Sequence, residues 1–395
     1  MGEIVVKQDL AEVPSIRLGP GQSLKGSNAA TLCFSARVDG VQLSADNAIE
    51  GLTLATDPDR RAIYNDTSFA GFGRVDLKHL RVAGCVRVLA EEEAMAGHVS
   101  ALDVLIEEAD ATACEMRPSG YGVEVIPGAF MLWNRQADPA SLVTADLHGV
   151  GVGRPGQPVR GGGIFVGGTP GGGRTLVTRL VTDEVHSHGG ITAGTADRIA
   201  GGVFVVSGTH AHVVHNRGSV TTYGPNDMVL DNWGSVDNWR ADSRITSLGP
   251  SAIGFVNFGD LSSLVVEAPI ETFGAGARGF NVYDGTLGEA IFDRVVTRGD
   301  GAVGIQISRP VGRFLVKRGI ETFGGTGDSL VKGVMTRLAA VPLSIKPGGA
   351  AKEIEVHGGV TSHGEGVPPF EHHGQVERLL IEGGFTATGG GFAAI

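Results

Sequence analysis

Residues able to perform acid–base chemistry are concentrated in one stretch of the chain, residues 226–242. It contains four aspartates and two of the three tryptophans of the sequence. Chemistry at a glycosidic bond calls for two carboxyl groups that flank the scissile bond, one protonated and one ionised. Asp231 is our first candidate for an acid or base. Asp284 or Asp227 is the candidate partner, although Asp and Asn also form ordinary turns between short strands.

Further candidates recur at a constant interval of 25 along the chain, so they fall into columns if the fold repeats with that period. Neighbouring strands lie about 4.8 Å apart, and such columns would bring aromatic rings and amide groups onto one outer face. Sugar rings stack on faces of this kind. The alternatives are a subunit interface and a face covered by a loop. The predicted substrate-binding residues are Trp233, Tyr283, Asn281, Phe258, Gln306, Trp239 and Arg240.

Arg278 adds a cation near the same face, because it lies one full repeat after Ile253. It is a candidate for binding a substrate carboxylate, or for stabilising an enolate-like intermediate. The distance predicted between Asp231 and Asp284 is about 10 Å, since they lie two repeats apart. This is at or just beyond the upper end of the separation typical of inverting glycosidases.

The elements that would position these residues are short and regular. The pattern apolar, any, Thr or Ser, any, Gly ends at Gly224, Gly249, Gly274, Gly299 and Gly324, at equal intervals of 25. Each repeat holds three β-type runs separated by turn residues and leaves no room for a helix of about ten residues. A later interval, from Gly324 to Gly364, is longer and indicates an inserted loop.

Three short strands in a repeat of about 25 residues, a length typical of solenoids, resemble the right-handed parallel β-helix of the pectin-lyase-like superfamily. Residues 18–26 and 41–54 are similar to the first coils of that superfamily. The expected fold is therefore all-β, a single-stranded right-handed parallel β-helix with about 25 residues per coil. We expect residues 1–20 to form an N-terminal cap and residues 21–395 a single β-helix domain, with loop insertions near 135–175 and 332–347.

The repeat also predicts which side chains point inward. The fourth position before each turn glycine forms an apolar column, and a column of hydroxyls follows two residues later. Both should point into the coil, where the hydroxyls can bond one another. The apolar column is Val220, Ile245, Ile270, Val295, Ile320, Val360 and Phe385, and the hydroxyl column is Thr222, Ser247, Thr272, Thr297, Thr322 and Ser362.

Net charge, apolar run length and cysteine content indicate which binding partners and which cellular compartment to expect. A net charge of -11 disfavours nucleic acid, since phosphate binding is driven by Lys and Arg. No apolar run is long enough to span a bilayer, so we expect no membrane contact. Three scattered cysteines in apolar contexts favour buried thiols, and the N-terminus lacks the pattern of a signal peptide. We expect a cytoplasmic protein unless a leader has been removed.

No cofactor and no metal site is predicted. His210 and His212 face the same way on a strand, and His212 is in phase with Asp237, but His215 cannot join them on that side. A metal site would need three converging ligands.

The sequence supports three functions. The first is a carbohydrate-active enzyme that cleaves or rearranges a glycosidic bond of an oligosaccharide or small sugar-like substrate, with a lyase or epimerase as a variant in which Arg278 or Tyr283 handles the sugar α-proton. The second is a non-catalytic structural or adhesive module. The third is an isomerase or cyclase for a small molecule. A homo-oligomer is expected, with a trimer as one arrangement.

Overall fold

The computed structural model describes residues 2–27 and 29–390, and within these residues the protein is built of strands and turns without a helix. Most strands belong to two long sheets of 25 and 15 strands, in which the pairing is almost wholly parallel. The arrangement is an all-β, solenoid-like fold. Met1, Asn28 and residues 391–395, which fall in the predicted cap and β-helix domain, lie outside the described residues.

The strands are short, as expected for a chain with frequent Gly, Pro, Asp and Asn turns. In chain order they begin with β1 Glu3–Val6, β2 Leu10–Val13, β3 Ile16–Arg17, β4 Ser23–Gly26, β5 Thr31–Phe34, β6 Val41–Leu43, β7 Ala48–Glu50, β8 Thr53–Ala55, β9 Arg61–Asn65, β10 Gly73–Ala83, β11 Cys85–Ala90, β12 Ala96–Glu108, β13 Ser119–Gly120 and β14 Val123–Ile126. They continue with β15 Gly128–Asn134, β16 Leu142–Val152, β17 Val159–Arg160, β18 Gly162–Gly167, β19 Arg174–His188, β20 Arg198–Val205, β21 Thr209–Asn216, β22 Val220–Thr222, β23 Asp227–Asn232, β24 Ser235–Ala241, β25 Ile245–Ser247, β26 Ile253–Asn257, β27 Asp260–Val266 and β28 Ile270–Thr272. The last are β29 Arg278–Val282, β30 Thr286–Phe292, β31 Val295–Arg298, β32 Val303–Ile307, β33 Pro310–Val316, β34 Ile320–Phe323, β35 Thr326–Val331, β36 Val334–Ala339, β37 Leu343–Ile345, β38 Ala350–Val356, β39 Val360–Ser362, β40 Phe370–His372, β41 Gln375–Ile381 and β42 Phe385–Ala387.

Three parallel stacks make up the regular part of the solenoid. We call β22, β25, β28, β31 and β34 the first face, β23, β26, β29 and β32 the second face, and β24, β27, β30 and β33 the third face. The second face belongs to the 15-stranded sheet, and the other two belong to the larger sheet. On the first face Val220 pairs with Ile245, and Ile245 with Ile270, so the pairing follows the repeat read from the sequence.

The interior confirms the predicted columns. The apolar residues from Val220 to Val360 in the first-face column are fully buried, and so are the six hydroxyl residues. The hydroxyls do not bond one another as expected. Instead Thr297 donates to the carbonyl of Ala302 at 2.6 Å, and Ser362 to that of Val367 at 2.7 Å. Each of these two bonds crosses the turn that follows its strand, so Thr297 and Ser362 stabilise the corners of their coils. The hydroxyls of Ser247 and Thr272 have no hydrogen-bond partner among the described residues.

Aromatic side chains fill the interior between the second and third faces. Phe280 lies 5.7 Å from Phe255, 4.9 Å from Phe292 and 5.5 Å from Phe314, between ring centroids. Trp239 packs on Phe255 at 4.9 Å. Side chains from successive coils therefore interdigitate in one continuous core, the arrangement that stabilises repeat folds.

Two regions depart from the regular stack. Strands β1, β2 and β3, within the predicted cap, pair in parallel with β4, β5 and β6. Between β34 and β37 the antiparallel pair β35–β36 is inserted, and Ile320 still pairs with Val360 across this interval. The insertion therefore leaves the stack intact and projects from it.

The predicted buried thiols are observed at two of three positions. Cys85 and Cys114 are buried, whereas Cys33 is exposed because its side chain points outward from β5. In the described residues all three are free. No helix of the described residues is long and apolar enough to cross a membrane.

Candidate functional site

The outer side of the second face carries the main candidates in columns. Asp231 pairs with Val256, and Val256 pairs with Asn281. Two strand spacings of about 4.8 Å therefore separate Asp231 from Asn281. Gln306 continues this column on β32, and Arg278 begins the strand that carries Asn281.

An aromatic row runs beside this column. Trp233 lies 6.0 Å from Phe258, and Phe258 stacks on Tyr283 at 5.2 Å. On the other side Phe204 meets Trp233 edge to face at 5.0 Å. These rings are buried within a second apolar cluster, outside the solenoid core. Of the alternatives open from the sequence, a face covered by the chain itself is the one observed.

Two β-hairpins form the cover. The first joins β13 to β14 through Tyr121 and Gly122, and the second joins β35 to β36 through Lys332 and Gly333. All four turn residues have positive φ, at 52° and 86° in the first turn and at 47° and 78° in the second. This is the conformation of two-residue type I′ turns, which match the twist of the flanking strands.

The tips of the hairpins meet over the second face. A Cβ added to Gly333 would lie 2.6 Å from the carbonyl oxygen of Gly122, so only glycine permits this approach. Tyr121 stacks on Phe258 with ring centroids 4.2 Å apart, and its hydroxyl donates to the Phe258 carbonyl at 3.4 Å. The first hairpin is thereby docked directly on the aromatic row.

The second hairpin is tied to the face by polar contacts. Arg278 Nη1 donates to the carbonyl of Leu330 at 3.0 Å, and the Leu330 N–H donates to Ser251 Oγ at 3.1 Å. Lys332 Nζ lies 5.4 Å from the centre of the Tyr283 ring and donates to the Tyr283 carbonyl at 3.4 Å. A cation from the hairpin is thus held beside the row.

A small cavity of about 30 Å³ remains between the hairpins and the face. That volume holds about one water molecule. The lining is largely apolar and aromatic, and Asp231 is the carboxylate within it. The other residues that bear on its chemistry are Tyr121, Trp233, Phe258, Tyr283 and Lys332.

Asp231 is fully buried, and neither of its carboxyl oxygens has a hydrogen-bond partner among the described residues. Burial raises its pKa well above the ordinary value, because the charged form is poorly solvated in this environment. The indole N–H of Trp233 opposes the shift, although it stands outside ordinary hydrogen-bond geometry. Asp231 therefore holds its proton to a higher pH than an ordinary aspartate, and its carboxylate is correspondingly a stronger base.

Three more buried side chains near Asp231 have polar atoms without a hydrogen-bond partner. Arg278 leaves Nε and Nη2 without partners, Asn281 leaves both amide atoms, and Tyr283 leaves its hydroxyl, all within the part of the chain that the structure describes. The guanidinium carbon of Arg278 lies 5.7 Å from the centre of the Tyr283 ring. Burial raises the pKa of Tyr283, and the nearby charge of Arg278 opposes that rise.

The two predicted partners of Asp231 lie elsewhere. Asp227 is buried in a corner, where its Oδ2 accepts the N–H groups of Gly189 at 3.1 Å and Gly224 at 2.7 Å. Burial raises its pKa to about 7. Asp284 is partly exposed and forms an ion pair with Arg309 at 3.0 Å. Neither carboxylate lines the cavity.

Trp239 and Arg240 are also separate from the site. Trp239 points into the solenoid, because the other residues of its third-face column are apolar and buried. Its indole N–H donates to Asn216 Oδ1 at 2.8 Å. Arg240 is on the outer side of the third face, paired with Asp242 at 2.6 Å. Gln306 stays in the Asp231 column and donates to Ser308 at 3.0 Å. Its strand lies one beyond that of Asn281.

One of the two covering segments was predicted from the sequence. The loop insertion expected near 332–347 includes Lys332 and Gly333, which line the cavity, whereas the hairpin at Tyr121 lies outside the insertion expected near 135–175. Each tip is a residue followed by glycine between strand-forming runs, which is a recognised hairpin signal. The sequence therefore contains a signal for each turn, but none for where the turns dock.

The described residues hold one group with the arrangement of metal ligands, and it lies on the third face: His210, His212 and Asp237. The covered site on the second face offers a single carboxylate and no histidine among the described residues that line it, so it is suited to proton transfer and anion binding. No family model, curated protein or solved structure matches this chain.

Proposed function

We propose that this protein is a carbohydrate-active enzyme that cleaves a glycosidic bond of an acidic sugar beneath the two hairpins. We also propose that the scaffold is a right-handed parallel β-helix of the pectin-lyase-like type, with about 25 residues per coil. One observation carries the functional proposal. Eight buried side-chain atoms of Asp231, Trp233, Arg278, Asn281 and Tyr283 have no hydrogen-bond partner among the described residues.

Buried polar atoms without partners lower the stability of the folded protein. Leaving a buried donor or acceptor unpaired costs about 1–3 kcal/mol, and more for a charged group. Native proteins accordingly pair most of their buried polar atoms. Asp231, Trp233 and Tyr283 line the cavity, and Arg278 and Asn281 lie beside it on β29 without lining it. A substrate bearing hydroxyl and carboxylate groups that enters as the hairpins separate would supply partners for these residues, which supports a binding site for a polar molecule.

The charges favour an acidic sugar. Arg278 and Lys332 bring two cations to the site, and guanidinium groups bind carboxylates through paired hydrogen bonds. The aromatic row would stack on the faces of the sugar rings. An acidic substrate explains why two cations lie at a site with a single carboxyl group.

A single carboxyl group also favours elimination over hydrolysis, since the usual hydrolytic mechanism employs two. In this scheme Arg278 binds the substrate carboxylate and makes the neighbouring C–H more acidic. Asp231, as its carboxylate, takes that proton, and the electron pair of the C–H bond forms the new C=C bond. The C–O bond breaks, and Tyr283, which holds its proton because burial raises its pKa, donates that proton to the departing oxygen. Proton return from Asp231 to the Tyr283 phenolate closes the cycle.

The cavity of about 30 Å³ is far smaller than a sugar ring, so the hairpins must separate to admit substrate. Their contacts with the face are aromatic stacking and a few hydrogen bonds. Lids of this kind commonly close over substrate and exclude water during the reaction. The described arrangement corresponds to the closed position.

The test is turnover of uronate-containing and neutral oligosaccharides, followed by mass spectrometry. We expect the protein to cleave the acidic substrates into fragments whose masses sum to that of the substrate, without added water. Asp231→Asn should lower the rate by roughly 10²–10⁴-fold, the usual contribution of a general acid or base. Near-ultraviolet circular dichroism would verify that the variant is folded.

Asp284→Asn is the matched control, because Asp284 is a nearby carboxylate outside the cavity. Elimination predicts an unchanged rate for this variant. A large loss, together with products that have gained water, would instead support hydrolysis by the pair Asp231 and Asp284. An unchanged rate in Asp231→Asn would overturn the proposal.

A second candidate function is a non-catalytic structural or adhesive module. It is favoured by the sealed aromatic row, and by Leu248 and Phe273, which are exposed on the outer side of the first face. Absence of turnover on every substrate, combined with an assembly that Leu248→Ala or Phe273→Ala disrupts in sedimentation experiments, would support it. A small-molecule isomerase or cyclase would use the same cavity and is distinguished by its substrate.

A further inference from the structure

A second constellation lies on the outer side of the third face and takes no part in the proposed reaction. His210 and His212 are carried by β21, and Asp237 by the neighbouring strand β24. Alternation along β21 sends both imidazoles to the same side. The pairs Ala211–Val236 and Val213–Asn238 flank His212 and Asp237, so the register places these two residues side by side.

Three atoms of this group form a compact triangle. His210 Nε2 lies 3.3 Å from His212 Nδ1 and 3.2 Å from Asp237 Oδ2. His212 Nδ1 lies 2.8 Å from the same oxygen. Two imidazole nitrogens and one carboxylate oxygen therefore face a common point in space.

The triangle has the dimensions of one face of a metal coordination tetrahedron. Zinc lies about 2.0–2.1 Å from histidine nitrogen and about 2.0–2.2 Å from carboxylate oxygen. Ligand atoms at the corners of such a tetrahedron are about 3.3 Å apart. Two of the three observed distances match that value, and the third requires a shift of about half an ångström.

We propose that His210, His212 and Asp237 bind a divalent transition metal ion of the zinc type. Two imidazoles and one carboxylate suit Zn²⁺, Ni²⁺ or Co²⁺, whereas Mg²⁺ and Ca²⁺ prefer oxygen ligands alone. All three side chains are partly exposed, so the ion has direct access from solvent. Three protein ligands leave a fourth tetrahedral position open to water.

Such an ion would cross-link β21 to β24 and thereby stabilise two neighbouring coils. A ligand that binds only the folded chain raises its stability in proportion to the logarithm of its concentration above the dissociation constant. The expected signature is a melting temperature that rises with added Zn²⁺ and falls back after chelation. This readout is independent of any catalytic activity, and of the carbohydrate proposal.

The chain offers a matched control at the end of the same two strands, where Asp242 directly follows β24. His215 Nε2 lies 2.7 Å from Asp242 Oδ2, and Arg240 occupies the other oxygen of that carboxylate at 2.6 Å. This pair has a histidine and an aspartate but a cation in place of a third ligand. It should not chelate a metal ion.

The experiment is isothermal titration of the purified chain with ZnCl₂, in parallel with His212→Ala, Asp237→Asn and His215→Ala. We expect one strong site in the wild-type protein and in His215→Ala. Affinity should fall by about 100-fold or more in the other two variants, because each loses a direct ligand.

Two results would overturn the proposal. One is a wild-type protein without a stoichiometric site at neutral pH, in which case the triangle is an ion pair of two imidazoles with one carboxylate. The other is equal affinity in all four proteins, which would indicate binding elsewhere. Melting curves with and without Zn²⁺ would verify that each variant is folded.

Discussion

Asp227 is a fully buried carboxyl group whose ionisation affects the stability of the fold. Its pKa is raised by burial to about 7, from an ordinary value of 3.8. The unfolded chain loses this proton near pH 4, whereas the folded chain holds it until about pH 7. The contribution of Asp227 to stability is therefore greatest below pH 4 and falls as pH rises through that window, by on the order of 4 kcal/mol in total.

We expect Asp227→Asn to remove this dependence. The amide oxygen can still accept the N–H groups of Gly189 and Gly224, and the side chain no longer ionises. The variant should equal the wild type in urea denaturation at pH 4 and exceed it at pH 8. A variant less stable at both pH values would mean that the charged carboxylate is needed at this corner.

For single residues, the 25-residue repeat predicts which side chains share a face of the solenoid. The columns containing Asp231, Phe258 and Asn281 follow from the constant phase of the repeat, and the structure brings these residues to one face. Trp239 was expected with them, yet it is in register with Leu264, which is buried. Comparing it with its own column would have placed it inside.

At the scale of elements, the contact between the hairpin tips offers a test of the lid. A Cβ at Gly333 would lie 2.6 Å from the Gly122 carbonyl oxygen, so Gly333→Ala should push the tips apart. We expect faster hydrogen exchange in β35 and β36, and easier quenching of Trp233 fluorescence by acrylamide. The solenoid strands should keep their protection, because the insertion projects from an intact stack.

Gly171→Ala is the matched control for that substitution. Gly171 has a φ of 70°, close to the 78° of Gly333, but nothing among the described residues lies within 4 Å of its added Cβ. It therefore carries the same backbone strain without the collision. Equal effects from both substitutions would show that strain, and not the meeting of the tips, explains any opening.

The hairpins also mark where prediction from sequence stops. Each turn has a local signal, because positive φ at both positions favours a glycine. The docking of Tyr121 on Phe258, however, joins residues far apart in the chain, and no periodic pattern connects them. Long-range packing of an irregular segment on a regular scaffold is therefore the part that the repeat could not reveal.

For the whole molecule, the interior stack is the main source of stability. Phe280 contacts phenylalanines of three neighbouring strands and is fully buried. Phe280→Ala should lower the free energy of unfolding by about 3–5 kcal/mol. Phe273→Ala, at a side chain 44% exposed on the first face, should change it by about 0.5 kcal/mol or less. Similar losses in the two variants would contradict this account of the core.

The two halves of the cover also differ in when they are made. Tyr121 leaves the ribosome roughly 210 residues before Lys332, about ten to forty seconds earlier at ordinary rates of synthesis. During that interval the first hairpin has no Phe258 to stack on until the middle coils have been translated. The covered site is therefore completed late in the synthesis of each chain. A chain truncated before residue 326 would have the second face and the first hairpin but would lack the second hairpin.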